Sequence, residues 1–248
     1  MKTHLLSGVV MAALLATGPA LAQQDKAYDY GDRGPEVWGQ LHHDYALCEK
    51  GDMQTPIDLA GANAIGNVGL TIDYQAGPLT VSNKGLTVQA DFAPGSTMTS
   101  GGTEFNLIQI HFHTPSEHAI SGKRYPLVGH FVHATDGGAL GVLGVMFEEG
   151  EANPELAKIL AAVPAKKSEP ATVGGQTIDP NAMLPDDRAI YRYMGSLTTP
   201  PCSEGVNWHV LRAPVTASKA QIEQFEVLMG NNSRPLRAIN NRLVVAPE

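Results

Sequence analysis

The stretch Gln109-Ile110-His111-Phe112-His113 constrains this chain more than any other. It continues an apolar, β-branched run from Phe105, as a strand does. Side chains on a strand alternate between faces, so Gln109, His111 and His113 point one way while Ile110 and Phe112 point the other. Two imidazoles one pleat apart on a rigid strand form a bidentate grip for a metal. A second strand-like run, 125–134, follows a turn segment holding Ser121-Gly122-Lys123. Runs joined by so short a connection are most simply antiparallel neighbours, which brings His130 beside His111 and His113. Three neutral imidazoles with a fourth position open make a catalytic zinc site rather than a structural one. The alternative on local sequence is a set of hydrogen-bonded core histidines.

Residues 1–22 are expected to be a signal peptide. Lys2 begins a short positive region, 5–15 is an apolar core too short to span a bilayer comfortably, and Ala20-Leu21-Ala22 fits a small-x-small cleavage site. Mature protein then begins at Gln23, exported to the periplasm or secreted; an uncleaved anchor is the alternative. No other apolar run is long enough to cross a membrane. Residues 23–248 can bury one substantial core as a single domain. The chain carries 17 Lys+Arg against 25 Asp+Glu and has no basic cluster to track a phosphate backbone, which excludes nucleic acid as an expected partner. Aromatics are scarce, whereas 26 Gly and 17 Pro favour many turns and a sheet over a helix bundle. The two cysteines, Cys48 and Cys202, read most simply as one disulfide closing a long loop in an oxidising compartment, with two buried free thiols as the alternative.

Segments 68–74, 79–82 and 86–92 read as short strands, and the nearly all-apolar 139–147 as a central strand covered on both faces. Asn153-Pro154-Glu155 supplies a cap, a first-turn proline and an early acid ahead of a helix over 156–163. Ser218-Lys219-Ala220-Gln221 is a capping box, followed by Ile222, Phe225 and Leu228 on one face and stopped by Gly230. The polar, Pro-containing 165–187 reads as a surface excursion, and the segment around Trp38 and Leu41 as a wrap over the body.

Several separated motifs resemble one family, the α-class carbonic anhydrases in their exported bacterial form. These are Tyr30-Gly31, Gly34-Pro35-Glu36 and Trp38; Gln54-Thr55-Pro56-Ile57-Asp58; 109–118; His130-Phe131-Val132-His133; Val142-Leu143-Gly144; 195–202; and Asn231-Asn232-Ser233-Arg234-Pro235. The resemblance implies a mainly β (α+β) domain: a large, mostly antiparallel twisted central sheet, peripheral helices and a conical zinc cavity. It implies His111, His113 and His130 as Zn²⁺ ligands, with a bound water activated to attack carbon dioxide and give bicarbonate. Thr198 matches a gatekeeper hydroxyl whose proton goes to Glu117. Val132, Val142, Leu197 and Trp208 match an apolar wall for the gas, and Thr199, Gln89, Asn83 and Tyr30 a wet side. Gln109 and the Asn232 carbonyl match supports of His111 and His113, and His118 and Tyr193 a network behind Glu117. Cys48 and Cys202 match the bacterial disulfide, which would brace the Thr198 loop. His133, on the opposite strand face from His130, reads as structural. A homodimer is an assembly the family makes plausible.

Two positions depart from the family pattern. Val128 stands where a glutamate supports the third ligand, so weaker zinc retention is expected. Leu86 stands at the position of a proton-carrying histidine, so turnover should rise with added imidazole buffer; His42 and His43 are the residues that could substitute. Two rival readings follow. A non-catalytic relative is supported by Val128 and opposed by the complete set of ligands with Glu117 and Thr198. A cupin-type metal oxygenase is suggested by His111-x-His113 with Glu117, but its glycine spacing is wrong and no Pro-x-Gly precedes His130.

Overall fold

A computed structural model describes residues 27–248. The expected signal peptide and its cleavage point lie outside the described residues. Thirteen strands form one sheet: β1 (Ala64–Ile65), β2 (Leu70–Asp73), β3 (Gly77–Asn83), β4 (Val88–Asp91), β5 (Thr97–Ser100), β6 (Thr103–His113), β7 (Leu127–Ala134), β8 (Leu140–Glu149), β9 (Ala171–Ile178), β10 (Ile190–Ser196), β11 (Glu204–Leu211), β12 (Val215–Ala217) and β13 (Val244–Ala246). The main path runs β1-β13-β10-β11-β8-β7-β6-β4-β3-β9. Most neighbours are antiparallel, but β11 and β12 pair with β8, and β1 with β13, in parallel, so the sheet is mixed. Four α-helices flank it: α1 (Trp38–Leu41), α2 (Leu47–Lys50), α3 (Pro154–Ala162) and α4 (Lys219–Met229).

The longer helices start where their sequence caps place them. Asn153 accepts from the backbone N–H groups of Glu155 and Leu156. Ser218 and Gln221 form the reciprocal capping box, and Gly230 ends α4 at φ 65°. Ile222 and Phe225 of α4 join the core behind the sheet, where Phe225 meets Phe112 at a ring separation of 4.7 Å. Strand β8 is buried along nearly its whole length, as its apolar run requires. Segment 165–187 departs from a plain surface excursion. It holds β9, which closes one edge of the sheet against β3, and a 3₁₀ turn over Pro180–Met183. The polarity of β9 hid it from an apolar-pattern reading, since only its last residue is buried.

One irregularity decides which way the histidines face. Phe105 and Leu107 of β6 are buried, and strict alternation would carry the same face on to Gln109, His111 and His113. A bulge intervenes: Leu107 pairs with His133 while Gln109 pairs with Val132, leaving Ile108 as the extra, exposed residue. The bulge moves the buried parity to Ile110 and Phe112 and frees His111 and His113 for the opposite face. The same division holds on β7. Leu127 and Phe131 go to the core behind, while Val128 and Val132 pack with Val142, Met146 and Trp208 on the histidine side.

Candidate metal centre

His111 and His130 are direct register partners across β6 and β7, and His113 opposes Val128. Each of the three imidazoles offers a nitrogen within 4.8 Å of the other two, the separation a single ion spans. The outer nitrogen of His111, Nδ1, is 2.9 Å from Gln109 Oε1. That of His113 is 2.8 Å from the Asn232 carbonyl oxygen. Asn232 is clamped in turn: its side chain accepts from Thr114 N–H and donates to the carbonyls of Leu86 and Phe112. These contacts leave Nε2 on His111 and His113 as the inward nitrogens. His113 Nε2 is buried with no hydrogen-bond partner, an unsatisfied position that a cation would fill. His113 Nε2 and His130 Nδ1 converge on Glu117 Oε2, at 3.6 and 3.7 Å. Burial, reinforced by the neighbouring imidazoles, holds His111 and His130 well below the usual histidine range, so both stay neutral and able to ligate. Two neutral imidazoles plus His113, with no cysteine nearby, suit zinc and leave a position open.

Behind the triad His130 stands apart. Its Nε2 is buried without a partner, as is Nδ1 of His118. His118 Nε2 meets Tyr193 Oη at 2.6 Å, and Tyr193 donates to Thr55 Oγ1 at 3.2 Å. Burial is the main cause that pushes His118 down to about 3. Val128, fully buried on the same strand face as His130, supplies only methyl groups to this region.

Glu117 is fully buried. Its Oε1 accepts the backbone N–H of Arg234 at 3.0 Å, and Oε2 has no hydrogen-bond partner. The expected bond from Thr198 to Glu117 is therefore not made in this arrangement; Oε2 looks toward the histidines instead. Arg234, a motif residue given no role of its own from the sequence, ties Glu117 to the carbonyls of Thr55 and Cys48 and lies over the Trp38 ring. Burial pushes its guanidinium down to about 10. The only sequence signal was an arginine in an otherwise uncharged Asn-Asn-Ser-Arg-Pro segment.

Thr198 is buried in the loop between β10 and β11, whose ends close through Leu197 N–H to the Ser203 carbonyl at 2.9 Å. The Cys48–Cys202 disulfide pins this loop to α2 across 154 residues of sequence. Closing a loop of that length stabilises a fold by about 5 kcal/mol in the chain-entropy account. Leu197, Thr199 and Val132 are half-buried, whereas Val142 and Trp208 are buried. Trp208 donates to the Ser196 carbonyl and packs on His130 at a ring separation of 4.9 Å. Tyr28, which no motif indicated, hydrogen-bonds Thr199, and burial raises its phenol. Tyr30 is packed on Trp38, and its phenol is raised too, first by burial and then by the charge of Glu117.

Three residues assigned to the cavity's wet side or rim sit differently from the simplest expectation. Asn83 is buried, with its carboxamide spent on the Pro164 carbonyl and the Gly85 N–H, so it braces a turn. Gln89 pairs in register with His111, but its side chain donates to Asp91 at 2.5 Å. Leu86 lies in the turn before β4, which begins at Val88, and remains half-buried. His42 and His43 flank Asp44 on a separate turn; among the described residues neither hydrogen-bonds a triad or cavity residue.

A mixed sheet carrying a buried His triad on one face defines a class of sheet-built metalloenzyme. The family model described as eukaryotic-type carbonic anhydrase matches residues 33–248. A carbonic anhydrase of Pectobacterium carotovorum is 43% identical over 216 residues, covering 87% of this chain and 88% of that protein. The α-carbonic anhydrase of Thermovibrio ammonificans, solved with the inhibitor sulfanilamide, superposes with a TM-score of 0.85 at 40% identity, covering 89% of this chain and 99% of the other. That of Photobacterium profundum gives 0.82 at 45% identity, covering 88% and 100%. The chain belongs to the α-class carbonic anhydrases, metalloenzymes that act on a small-molecule substrate. That membership removes the cupin reading. Among the described residues no helix is long and apolar enough to cross a membrane, and the disulfide fits an oxidising compartment.

Proposed function

We propose that this protein is a zinc-dependent enzyme of the periplasm or the secreted fraction that hydrates carbon dioxide reversibly to bicarbonate and a proton. The observation that carries this reading is the convergence of three imidazoles, one with an orphaned inward nitrogen, beside a buried carboxylate. His111, His113 and His130 would hold zinc, which would supply a Lewis acid that lowers a water's pKa to about 7, a value for which carbonic anhydrase is itself the reference case.

The chain's own residues do the rest. Val132, Val142, Leu197 and Trp208 offer carbon dioxide an apolar resting surface and keep bulk water from competing. The Thr198 hydroxyl, with one proton to donate, is directional only if that proton has a fixed acceptor. Glu117 keeps Oε2 free for that role, because Arg234 has taken Oε1. With that bond made, Glu117 would orient Thr198 so that it points a lone pair toward the nucleophile. Thr199, held by Tyr28, forms with Tyr30 the polar side by which bicarbonate leaves. Leu86 cannot carry a proton, so the proton passes to buffer directly.

The test is stopped-flow hydration of carbon dioxide by zinc-loaded protein across a series of imidazole concentrations. Rapid, sulfonamide-sensitive hydration that rises with imidazole is expected. Stoichiometric zinc without hydration would replace the proposal with a non-catalytic zinc-binding relative, the second reading that Val128 favours.

A further inference from the structure

The sheet has a second cavity, on the side away from the histidines. Arg192 and Tyr193 are consecutive on β10 and face opposite ways; Tyr193 reaches His118 on the metal side, so Arg192 points to the rear. There a cavity of about 560 Å³ opens between β10, β11 and β13 and the β5–β6 hairpin. Arg192, Ser100 and Thr103 are polar members of its lining, and Phe105, Met194 and Leu243 are apolar ones. Leu243 is 64% exposed and Met194 36%, both large apolar side chains left open to solvent.

The guanidinium is under-used. Of its five N–H donors only one has a described partner, the side-chain oxygen of Asn207. Asn207 is oriented for that role, because its amide group donates to the Leu140 carbonyl at 3.3 Å. No carboxylate among the described residues forms an ion pair with Arg192. Burial alone lowers its pKa, whereas the guanidinium groups of Arg124, Arg234 and Arg242 each have a compensating negative group. Its cross-strand partner His209 does not compete for an anion either. It is neutral, pushed down to about 3 by burial and then by Arg192, and it meets Ser100 Oγ at 2.8 Å.

A half-buried cation with free donors, set in an apolar-walled cavity of ligand size, is complementary to an anion carrying an apolar body. The volume far exceeds what bicarbonate or another small inorganic ion fills. We propose that this rear cavity binds a medium-chain organic monocarboxylate, with the carboxylate on Arg192 and the Ser100–Thr103 hairpin and the tail along Phe105, Met194 and Leu243.

Octanoate is the probe, titrated into the zinc-loaded protein and followed by backbone amide shifts. The titration is repeated after the metal is chelated, because the triad could also take a carboxylate. Saturable shifts at Ser100, Thr103, Met194 and Leu243, unchanged by chelation, are expected. Arg192→Gln should weaken binding at least tenfold, and Arg192→Lys, which keeps charge but loses the planar fork, by less. Uncharged 1-octanol should bind the wild type at least tenfold more weakly than octanoate. Equal affinity in wild type and a folded Arg192→Gln, shifts confined to the β6 histidines, or no saturation at millimolar octanoate would each overturn the proposal. So would octanoate acting only by dissociating a dimer, which would make the cavity's natural occupant a second copy's carboxylate.

Discussion

The two strands that carry the proposed metal ligands hold them differently. On β6 each imidazole has its outer nitrogen fixed, His111 by Gln109 and His113 by the clamped carbonyl of Asn232. On β7 the outer nitrogen of His130 is buried and unpartnered, and so is Nδ1 of His118, with Val128 buried on the His130 face of the strand. An unpaired buried N–H costs about 1–3 kcal/mol, and an imidazole without an acceptor behind it is a poorer donor with freer orientation. Three proposed ligands of one residue type are therefore not equivalent: the outer nitrogens of the β6 pair are fixed, whereas His130 has only the packing of Trp208 against its ring.

The largest test of this asymmetry removes a ligand. His113→Ala should abolish stoichiometric zinc and, with it, hydration, as metal analysis and stopped flow would show. His130→Ala should lose less zinc affinity than His113→Ala; equal losses would break the comparison. Next, Thr198→Ala should slow hydration by about 10²-fold or more while leaving zinc content intact. Val128→Glu should slow zinc release to a chelator by about 10–100-fold, since a carboxylate there would accept from the orphaned Nε2–H of His130. Asn232 offers no such gain because its carbonyl is already used. A smaller effect is expected from Leu86→His, a several-fold rise in hydration at low buffer that vanishes at high imidazole.

The rear-face histidines give a comparison free of the metal. His133 bonds Tyr74 and is pushed down to about 4 by burial; His209 bonds Ser100 and is pushed down to about 3. Because their folded pKa values lie below the unfolded value near 6.5, the unfolded chain binds more protons between those limits. Their contribution is present above about pH 6.5 and is lost as pH falls toward 4 and 3. Metal-free protein should accordingly lose denaturant stability over that range, with a shallower slope in a folded His133→Gln variant. A slope unchanged by that substitution would show that His133 does not carry the effect.

Much of the site was legible beforehand. The parity of Gln109, His111 and His113, the short return to His130, and the caps at Asn153 and Ser218 are local rules of spacing and hydrogen bonding. Arg234 was not legible, because its partners Glu117, Thr55 and Cys48 are far away in sequence. Nor was β9, a polar strand defined only by the edge it meets. Asn83 looked like a cavity residue until its turn was folded around it.

Gly195 shows the same limit at one atom. A methyl there would overlap Thr55 Oγ1 and press Trp208 and Tyr193 at 2.8 Å, so the Tyr193–Thr55 link behind the histidines requires glycine. The sequence by itself determined the residue types, the alternation that groups them on strands, the helix limits and the cysteine pair. Those follow from chemistry within a few residues or from composition. Tertiary structure alone decided the bulge at Ile108 that turns His111 and His113 toward the cavity, and the two buried nitrogens left without partners beside Val128. Register and burial depend on neighbours that one strand cannot specify for itself.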